Sequence, residues 1–491
     1  MVGTLPRFRA VFIRRPIVVV LSIITVITLS YTFVNRAAGD VITKDLHEHG
    51  SLNTHLETIL RISGEYQDHP LHPPYRDLFW EVGQRARSLS QWLATLDGAP
   101  DLPENEERML VEAIEKTAVS LFPFLKPPPS TGRGTTSTPL RDLRRSFAKG
   151  SRGIVIPAGG SDLLVRFAGH LISSLRDVLG CTLPIQVAYA GDGDLPQDRR
   201  DALSSLDKTN NTEFLDVSTV FDDSTLRLRK GGWAIKPFAA LASRFEHVIA
   251  LDADAVFLQS PEVLFQQREY VDTGAYLFHD RLLWQHEFRD RHNWWKDQIK
   301  EPSPAMNKSL VWTEDYAEEC DSGVVVLDKS RTDVVAGLLH IGWQNTHHVR
   351  QEVSYKITYG DRETWWLGLE LAGSKYQFER HYGSILGWGK DENPDENAVC
   401  SFAIAHADQE DKLLWYNGGL PKNKLADPHL YEVPMFWMMD GKWEKGGKKD
   451  MSCMVNETRR ALTSEEIAIL QRSIEAAVKV DEILGLDDTR S

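Results

Sequence analysis

An alternation of apolar strands and amphipathic helices, starting at Gly153, limits the possible folds more than any other feature of this sequence. The run GIVIPAGG indicates a strand that ends in glycines, an apolar face with helical spacing continues to Leu175, and IQVAYAG indicates a second strand. Strand, helix and strand form the repeating unit of a parallel sheet. The pattern continues with LDVSTV, a helix around residues 236–245, and the strands HVIALDAD and CDSGVVVLD. The predicted fold class is therefore α/β, with a mixed, mainly parallel sheet.

The N-terminal segment carries a second strong pattern. Arginines at positions 7, 9, 14 and 15 precede a run without charged residues over 17–34. As a helix this run would extend roughly 27 Å, which suits the thinner membranes of the early secretory pathway. Arginines before a span hold the N-terminus in the cytoplasm. We expect a cytoplasmic tail over 1–16, a transmembrane signal anchor over 17–34 and a lumenal remainder, with a cleaved signal peptide as the alternative.

Composition divides the rest of the chain. Helical patterns after the predicted anchor are followed by PPPSTGRGTTSTP, over 127–139, which has too few apolar residues to fold on its own. We expect a helical lumenal stem and a linker over 35–149 and a catalytic domain over 150–491. Near the C-terminus, Thr463 and Glu466 have the spacing of a capping box and predict a final helix.

The charge balance restricts the possible partners. The net charge of −14 speaks against nucleic acid, because an acidic surface repels a polyphosphate backbone. A phosphate-bearing substrate would need a cation. The four cysteines allow up to two disulfides in three connectivities, Cys320 is a candidate for one of them, and the spacings match no zinc site. These cysteines are Cys181, Cys320, Cys400 and Cys453.

A hydrophobic strand ends in two carboxylates, Asp252 and Asp254, within the segment EHVIALDADAVFLQSPEVLF. Because successive strand side chains point to opposite faces, we expect both aspartates on the same side of the strand, separated by Ala253. Mg²⁺ and Mn²⁺ prefer oxygen ligands and commonly bridge one or two protein carboxylates to substrate phosphates. The alternative is an ordinary strand-to-turn sequence. The apolar runs on both sides of the aspartates instead indicate an element that delivers two acids to an edge of the sheet.

Further motifs extend the pattern around these aspartates. The segment KPFAALASRFEHVIALDADAVFLQSPEVLF is followed by TGAYLFHD, ECDSGVVVLDKSR, GDRETWWLGLEL and LLWYNGG. Over roughly residues 150–440 the chain resembles the fungal α-1,3-mannosyltransferases that extend and branch mannan and glycan chains. The resemblance implies a GT-A fold, a GDP-mannose donor, a mannosylated glycan acceptor, dependence on Mn²⁺ or Mg²⁺, and transfer with retention of the anomeric configuration. It also implies a single-pass type II protein of the Golgi membrane that can form a complex with other mannosyltransferases.

The resemblance assigns roles to individual residues as hypotheses. Asp254 is expected to bind the metal, and Asp252 to bind the metal or the ribose of the donor. His406, in SFAIAHAD, lies where GT-A enzymes often supply a third metal ligand, although a lone histidine is more often structural. Lys236 and Lys412 are candidates for contacting the diphosphate, whose leaving charge needs compensation beyond the metal. Either lysine could instead be a solvated surface residue.

Acidic residues later in the chain form two more candidate pairs. Asp361 and Glu363, in GDRETWW, are expected to hold the acceptor sugar or to face the positive charge that develops at the anomeric carbon, with Trp365 as a substrate contact. The alternative is a helix start, where the macrodipole favours acids. Glu319 and Asp321, in ECDSG, form the other pair, with Asp321 as a candidate substrate ligand. No catalytic base is assigned, because in a retaining enzyme the departing phosphate oxygen can take the proton of the acceptor.

Other functions stay open on the sequence alone. DADAV also resembles the opening of haloacid-dehalogenase phosphatases, with Asp252 as nucleophile, but that motif normally opens its domain and GDRETWW lacks the paired acids such an enzyme needs. A non-catalytic lumenal scaffold or lectin is another alternative. UDP-sugar donors and α-1,2 linkages stay open, because two aspartates bind pyrophosphate and metal rather than base or sugar. An aromatic cluster could stack on an acceptor sugar, or else packs in the core: Trp284, His286, Trp294 and Trp295.

Overall fold

The computed structural model describes residues 52–126, 137–390, 397–447 and 450–486. Contacts between residues divide the chain into two compact units, Met1–Ile62 and Ser63–Ser491. Within the first unit the structure describes only residues 52–62, which are helical. The strands and the candidate site all belong to the second unit.

The predicted location at a membrane is contradicted. Across the described ranges, no helix is long and apolar enough to cross a membrane. The run 17–34, from which the anchor was predicted, lies outside those ranges, as does the predicted tail over 1–16. The prediction of a single-pass protein of the Golgi membrane is accordingly withdrawn.

Strands and helices alternate through the first half of the second unit, and short strands dominate after residue 377. The strands are β1 (Ala148–Pro157), β2 (Ile185–Tyr189), β3 (Thr212–Asp216), β4 (Phe245–Leu251), β5 (Ala255–Phe257), β6 (Ala275–His279), β7 (Cys320–Asp328), β8 (Gln377–Phe378), β9 (Ile385–Gly387), β10 (Val399–Ser401), β11 (Ile404–Ala407), β12 (Leu413–Asn417), β13 (Pro421–Asn423), β14 (Asp427–Tyr431), β15 (Phe436–Met438), β16 (Lys442–Glu444), β17 (Ser452–Val455) and β18 (Arg460–Ala461). The helices are α1 (Leu52–Asp68), α2 (Phe79–Gly98), α3 (Glu104–Leu121), α4 (Pro139–Arg145), α5 (Asp162–Ser173), α6 (Gln197–Leu206), α7 (Asp223–Leu226), α8 (Ile235–Ala242), α9 (Arg268–Thr273), α10 (Arg289–Gln298), α11 (Leu310–Glu314), α12 (Thr332–Gln344), α13 (His347–Val349), α14 (Tyr355–Ile357), α15 (Arg362–Ala372) and α16 (Ser464–Leu484).

A seven-stranded sheet with the order β3-β2-β1-β4-β7-β6-β8 organises this unit. Strands β3, β2, β1 and β4 are parallel to one another, and β8 is parallel to β6. Only β7 runs against its neighbours, pairing antiparallel with β4 and β6. The prediction of a mixed, mainly parallel sheet is therefore confirmed.

Burial on both faces of the sheet explains why its central strands could be predicted from the sequence. In β7 the run Val324–Leu327 is fully buried, and Val326 lies opposite Ile249 of β4. On its other side, Ile249 lies opposite Ile154 of β1. A strand covered on both faces needs apolar residues at every position, so its sequence is a continuous apolar run rather than an alternating one.

Helix α2, which falls in the predicted stem, packs against the helices beside the sheet. The ring of Phe79 lies 4.9 Å from the rings of both Trp294 and Trp343. At Gly83 the backbone approaches so closely that a Cβ atom would come within 2.7 Å of the carbonyl oxygen of Leu371 in α15. The boundary between stem and catalytic domain at 149/150 stays a prediction.

The C-terminal helix begins where the sequence predicts. The Thr463 side chain accepts a hydrogen bond from the amide of Glu466, the Glu466 carboxylate accepts one from the amide of Thr463, and Gly485 ends the helix in the left-handed conformation with φ of 66°. Because every contact in a capping box is local, the sequence alone identifies it.

One of the possible disulfides forms, between Cys400 of β10 and Cys453 of β17. Cys181 and Cys320 are buried free thiols. The assignment of Cys320 to a disulfide was therefore wrong.

Candidate active site

Asp252 and Asp254 lie in the turn between β4 and β5. Strand β4 ends at Leu251, so the alternation of strand side chains does not apply to the two aspartates, contrary to the sequence prediction. The Asp252 amide donates to the carbonyl of Gly323 in β7, at 2.8 Å, and the amide of Ala255 donates to the carbonyl of Asp252, at 3.1 Å. These bonds fix the turn at the carboxyl end of β4, where ligands of parallel sheets bind.

Lys236, in α8, is the buried counter-ion of this turn. Its ammonium lies 2.8 Å from Asp252 Oδ1 and 3.0 Å from Asp361 Oδ2, and it donates to the carbonyl of Ser322, at 2.9 Å. Burial alone would lower the pKa of Lys236, but the two carboxylates raise it. The Ser322 hydroxyl is a fourth oxygen close to the ammonium, at 2.8 Å. The three ammonium protons are shared among these four oxygens, so Lys236 joins the two acidic motifs and does not face open solvent.

The carboxylate of Asp252 lies among two other carboxylates, with Lys236 as its counter-ion. Burial raises the pKa of Asp252 to about 6, with Lys236 opposing the shift and Asp254 and Asp361 adding to it. The side chains of Asp252 and Asp254 keep exposed fractions of 23% and 16%. Within the described chain, neither Asp252 Oδ2 nor Asp254 Oδ1 accepts a hydrogen bond. The turn therefore presents two unsatisfied carboxylate oxygens on a partly open surface.

Asp361 immediately precedes α15 but does not cap it. Its Oδ2 atom accepts a hydrogen bond from Trp365 Nε1, at 2.8 Å, in addition to the contact with Lys236. Asp361 and Glu363 lie at the start of α15, as the alternative of a helix start predicts, although the Asp361 side chain makes no hydrogen bond to the first amides of the helix. Trp365 is fully buried behind Asp361. Trp365 therefore orients the carboxylate and presents no surface of its own to a ligand.

Glu363 points into the protein, away from solvent. It accepts hydrogen bonds from the amides of Glu319 and Cys320, at 3.1 and 3.2 Å, and from Trp366 Nε1, at 2.6 Å. Burial raises the pKa of Glu363 to about 8. Glu363 thus connects α15 to the start of β7.

His406 and Asp321 form a second buried cluster. The ring nitrogens of His406 lie 2.5 Å from Glu379 Oε1 and 3.4 Å from Asp321 Oδ2, and the ring stacks on Trp415 with centroids 4.2 Å apart. Burial alone would lower the pKa of His406, but Glu379 and Asp321 raise it to about 9. Asp321 also accepts from Asn417 Nδ2, at 2.9 Å. The described contacts of His406 include neither aspartate of the turn, because its two ring nitrogens face Glu379 and Asp321.

Of the two predicted diphosphate contacts, Lys412 lies outside the site. It is exposed and forms an ion pair with Glu410, at 2.8 Å. A different lysine, Lys424, reaches the turn from the β13–β14 hairpin and forms an ion pair with Asp254 Oδ2. Its segment, GGLPKNKLAD, has no local signal of a site, because the contact spans a separation of 170 residues.

The two aspartates fit a divalent cation whose other ligands come from substrate and water. Among the described residues, no group of three or more His, Cys, Asp or Glu side chains forms a ready-made metal cage. Mg²⁺-type sites commonly use only one or two carboxylates plus phosphate oxygens. A cation here would offset the negative charge of Asp254 and Asp361, which adds to the effect of burial on the pKa of Asp252.

Comparisons with known proteins identify the family of this chain. Residues 151–408, more than half of the chain, match the family model described as "Mannosyltransferase putative". The α-1,3-mannosyltransferase MNT3 of Saccharomyces cerevisiae is 27% identical over 50% of this chain and 43% of its own length, and MNN1 of the same yeast is 28% identical over 62% and 44%. The α-1,3-mannosyltransferase MNT2 is 24% identical over 55% and 52%. The chain thus spans about half the length of these relatives.

A solved structure, mouse xyloside xylosyltransferase 1, aligns with 47% of this chain and 83% of its own, at 12% identity. Its TM-score of 0.30 is too low to bear on fold or function. The family match does not depend on that alignment. Its matched range contains four of the predicted site residues, Asp252, Asp254, Asp361 and His406. The predicted family and its enzyme class, the glycosyltransferases, are confirmed. The chain belongs to this mannosyltransferase family and is similar to fungal α-1,3-mannosyltransferases.

Proposed function

We propose that this chain is a metal-dependent, retaining glycosyltransferase with a GT-A fold, which moves mannose from GDP-mannose to a mannose-containing glycan and forms an α-1,3 bond. The observation that carries the proposal is the turn Asp252–Asp254, held at the carboxyl end of β4 with two carboxylate oxygens free. The names of the yeast relatives, both α-1,3-mannosyltransferases, support the sugar and the linkage. Family membership speaks against the phosphatase alternative.

Asp252 and Asp254 would hold Mn²⁺ or Mg²⁺ through these free oxygens. When bound, the metal supplies positive charge that neutralises the departing diphosphate. Lys236 keeps Asp252 in place through its 2.8 Å contact and does not itself reach the diphosphate. We leave His406 out of the metal site, because both of its nitrogens contact other carboxylates.

Asp361 is the second acid of the proposed site. Trp365 and Lys236 fix its Oδ2 atom, so the carboxylate is oriented before substrate binds. Negative charge held at this point stabilises positive charge that develops at the anomeric carbon. The departing phosphate oxygen takes the proton of the acceptor hydroxyl, so the proposal requires no basic side chain.

Transfer from a panel of labelled sugar nucleotides, including GDP-mannose and UDP-sugars, tests this function directly. The full chain is incubated with mannobiose as acceptor, with Mn²⁺ and after metal removal by chelation. We expect mannose transfer that depends on the metal, and a product whose linkage analysis gives an α-1,3 bond.

The matched variants are Asp254→Asn and Asp272→Asn, the latter an exposed aspartate of α9. We expect Asp254→Asn to lower kcat/KM by at least about a hundredfold, and Asp272→Asn to behave like the unchanged chain. Transfer from a UDP-sugar would contradict GDP-mannose as the donor, and an α-1,2 product would contradict the proposed linkage. Transfer that survives both chelation and Asp254→Asn would contradict the metal-binding role.

A further inference from the structure

Two large aromatic side chains are exposed on neighbouring loops beside the site. Trp233 is 48% exposed and Tyr359 is 63% exposed. Their ring centroids lie 5.2 Å apart, with the ring planes inclined by 49°. Exposing this much aromatic surface costs free energy, and adjacent exposed aromatic rings commonly mark binding surfaces.

Both rings are tied to the acidic motifs through short stretches of chain. Trp233 lies three residues before Lys236, and Tyr359 lies two residues before Asp361. The 3.0 Å contact between Lys236 and Asp361 joins the two loops below the rings. The aromatic pair is therefore continuous with the candidate active site.

The backbone between the rings and the acids is adapted to this close packing. Gly360 has φ of 70°, and a Cβ atom there would lie 2.8 Å from the ring of Trp233. A side chain at this position would push Trp233 away from Tyr359. Glycine therefore preserves the spacing of the pair.

The surroundings suit a neutral sugar ring. One face of a pyranose consists of C–H groups, which the electron-rich face of an aromatic ring attracts. The Arg362 guanidinium lies 5.7 Å from the Tyr359 ring centroid and forms an ion pair with the partly exposed Glu318, at 3.3 Å. The same Nη1 atom of Arg362 also pairs with Asp280. Arg362 therefore places a polar group beside the Tyr359 ring, where hydroxyls of a stacked sugar would lie.

We propose that Trp233 and Tyr359 form an acceptor subsite, which stacks on a pyranose ring of the mannose-containing glycan next to Asp361. The inference rests on the proposed function. There the turn Asp252–Asp254 takes the diphosphate of the donor, and Lys236 connects that turn to Asp361. A sugar stacked on the pair lies beside the centre where transfer occurs.

Steady-state kinetics of Trp233→Ala and Tyr359→Ala test the subsite. Loss of one stacking contact is expected to raise the KM for mannobiose by about tenfold. The KM for the donor, and the rate at which the donor is hydrolysed without an acceptor, should stay unchanged. Tyr359→Phe keeps the ring and is expected to retain the original KM. Trp80→Ala, a half-buried tryptophan of α2, is the matched control. Since Tyr359 is the more exposed of the two, its variant keeps the test informative if Trp233→Ala fails to fold.

Binding of mannobiose in the absence of donor, measured by saturation-transfer NMR, separates this inference from the proposed function. If the unchanged chain binds mannobiose and both Trp233→Ala and Tyr359→Ala weaken that binding, the subsite stands even when no mannose is transferred. If both variants weaken binding of the donor instead, the pair holds the nucleotide base and the inference is overturned. Unchanged binding of mannobiose by both variants would overturn it as well.

Discussion

Lys236 shows how much of this site depends on one side chain. Its ammonium connects Asp252, Asp361 and the carbonyl of Ser322, all within 3.0 Å. Replacing it by methionine keeps most of the length of the side chain but leaves the buried Asp361 and the partly buried Asp252 without this counter-ion. We expect Lys236→Met to lower the free energy of unfolding by about 3–5 kcal/mol, measured by urea denaturation.

The control for this prediction is Lys208→Met, at an exposed lysine whose ion pair with Asp177 spans 3.3 Å. A surface pair of this kind contributes at most about 1 kcal/mol. Normal stability of Lys236→Met together with lost nucleotide binding would contradict our interpretation. It would instead support the direct contact with the diphosphate that the sequence predicted.

His406 makes a separate contribution that depends on pH. Its pKa is about 9 in the folded chain, against an ordinary value of 6.5, because Glu379 and Asp321 outweigh the effect of burial. A raised pKa means that the ion pairs stabilise the fold fully below pH 6.5, and that this stabilisation is lost as the pH rises through 9. We expect His406→Gln to cost about 3 kcal/mol more at acidic than at strongly alkaline pH, measured by urea denaturation.

The matched control is His72→Gln, at an exposed histidine. Its effect on unfolding should be small and the same at both pH values. An equal cost of His406→Gln at the two pH values would show that the imidazole is neutral in the fold, and would make it available again as a metal ligand.

The β13–β14 hairpin is the element that brings a further cation to the site. It is anchored at Tyr431, whose hydroxyl donates to Asp481 of α16 at 2.7 Å, and Arg166 of α5 donates to the same carboxylate at 2.6 and 2.7 Å. Near the other end of the hairpin, Lys424 forms its ion pair with Asp254. Helices α5 and α16 thus fix one end of a hairpin whose tip lies at the proposed metal site.

A lysine ammonium beside Asp254 competes with a divalent cation for the same carboxylate. We therefore expect Lys424→Gln to tighten Mn²⁺ binding in the absence of nucleotide, by about tenfold for one lost charge contact. Isothermal titration of Mn²⁺ into the nucleotide-free chain measures this change.

The control lies in the same hairpin. Lys422→Gln removes an ion pair with Glu432, at 2.7 Å, and should leave Mn²⁺ binding unchanged. Weaker Mn²⁺ binding by Lys424→Gln would show that this lysine supports the metal site instead of competing for it.

Features that depend on neighbouring residues were predictable, and features that depend on distant contacts were not. The capping box at Thr463 and the apolar strands β4 and β7 follow from local spacing and burial. The direction of β7 and the approach of Lys424 to Asp254 depend on long-range packing, for which the sequence has no local signal. His406 was predicted as a metal ligand from its position in the sequence. The sequence gives no sign of the two carboxylates that contact its ring nitrogens in the fold.

The whole molecule assembles its site from segments far apart in the chain. The central sheet brings the turn after β4 beside the start of β7, while α8 and α15 meet through Lys236 and Asp361. Each of these segments is too short to hold its charges in place alone, because a buried carboxylate needs partners from other elements. The site therefore depends on the packing of these segments against one another.

Isothermal titration of GDP into the full chain, with and without Mn²⁺, tests the central claim most directly, and Asp254→Asn is titrated beside it. The geometry of the Asp252–Asp254 turn predicts GDP binding that requires Mn²⁺ and is lost in Asp254→Asn, with Asp272→Asn binding as the unchanged chain does. Equal GDP binding without Mn²⁺, or undiminished binding by Asp254→Asn, would contradict the assignment of this turn as the site that holds the metal and the donor.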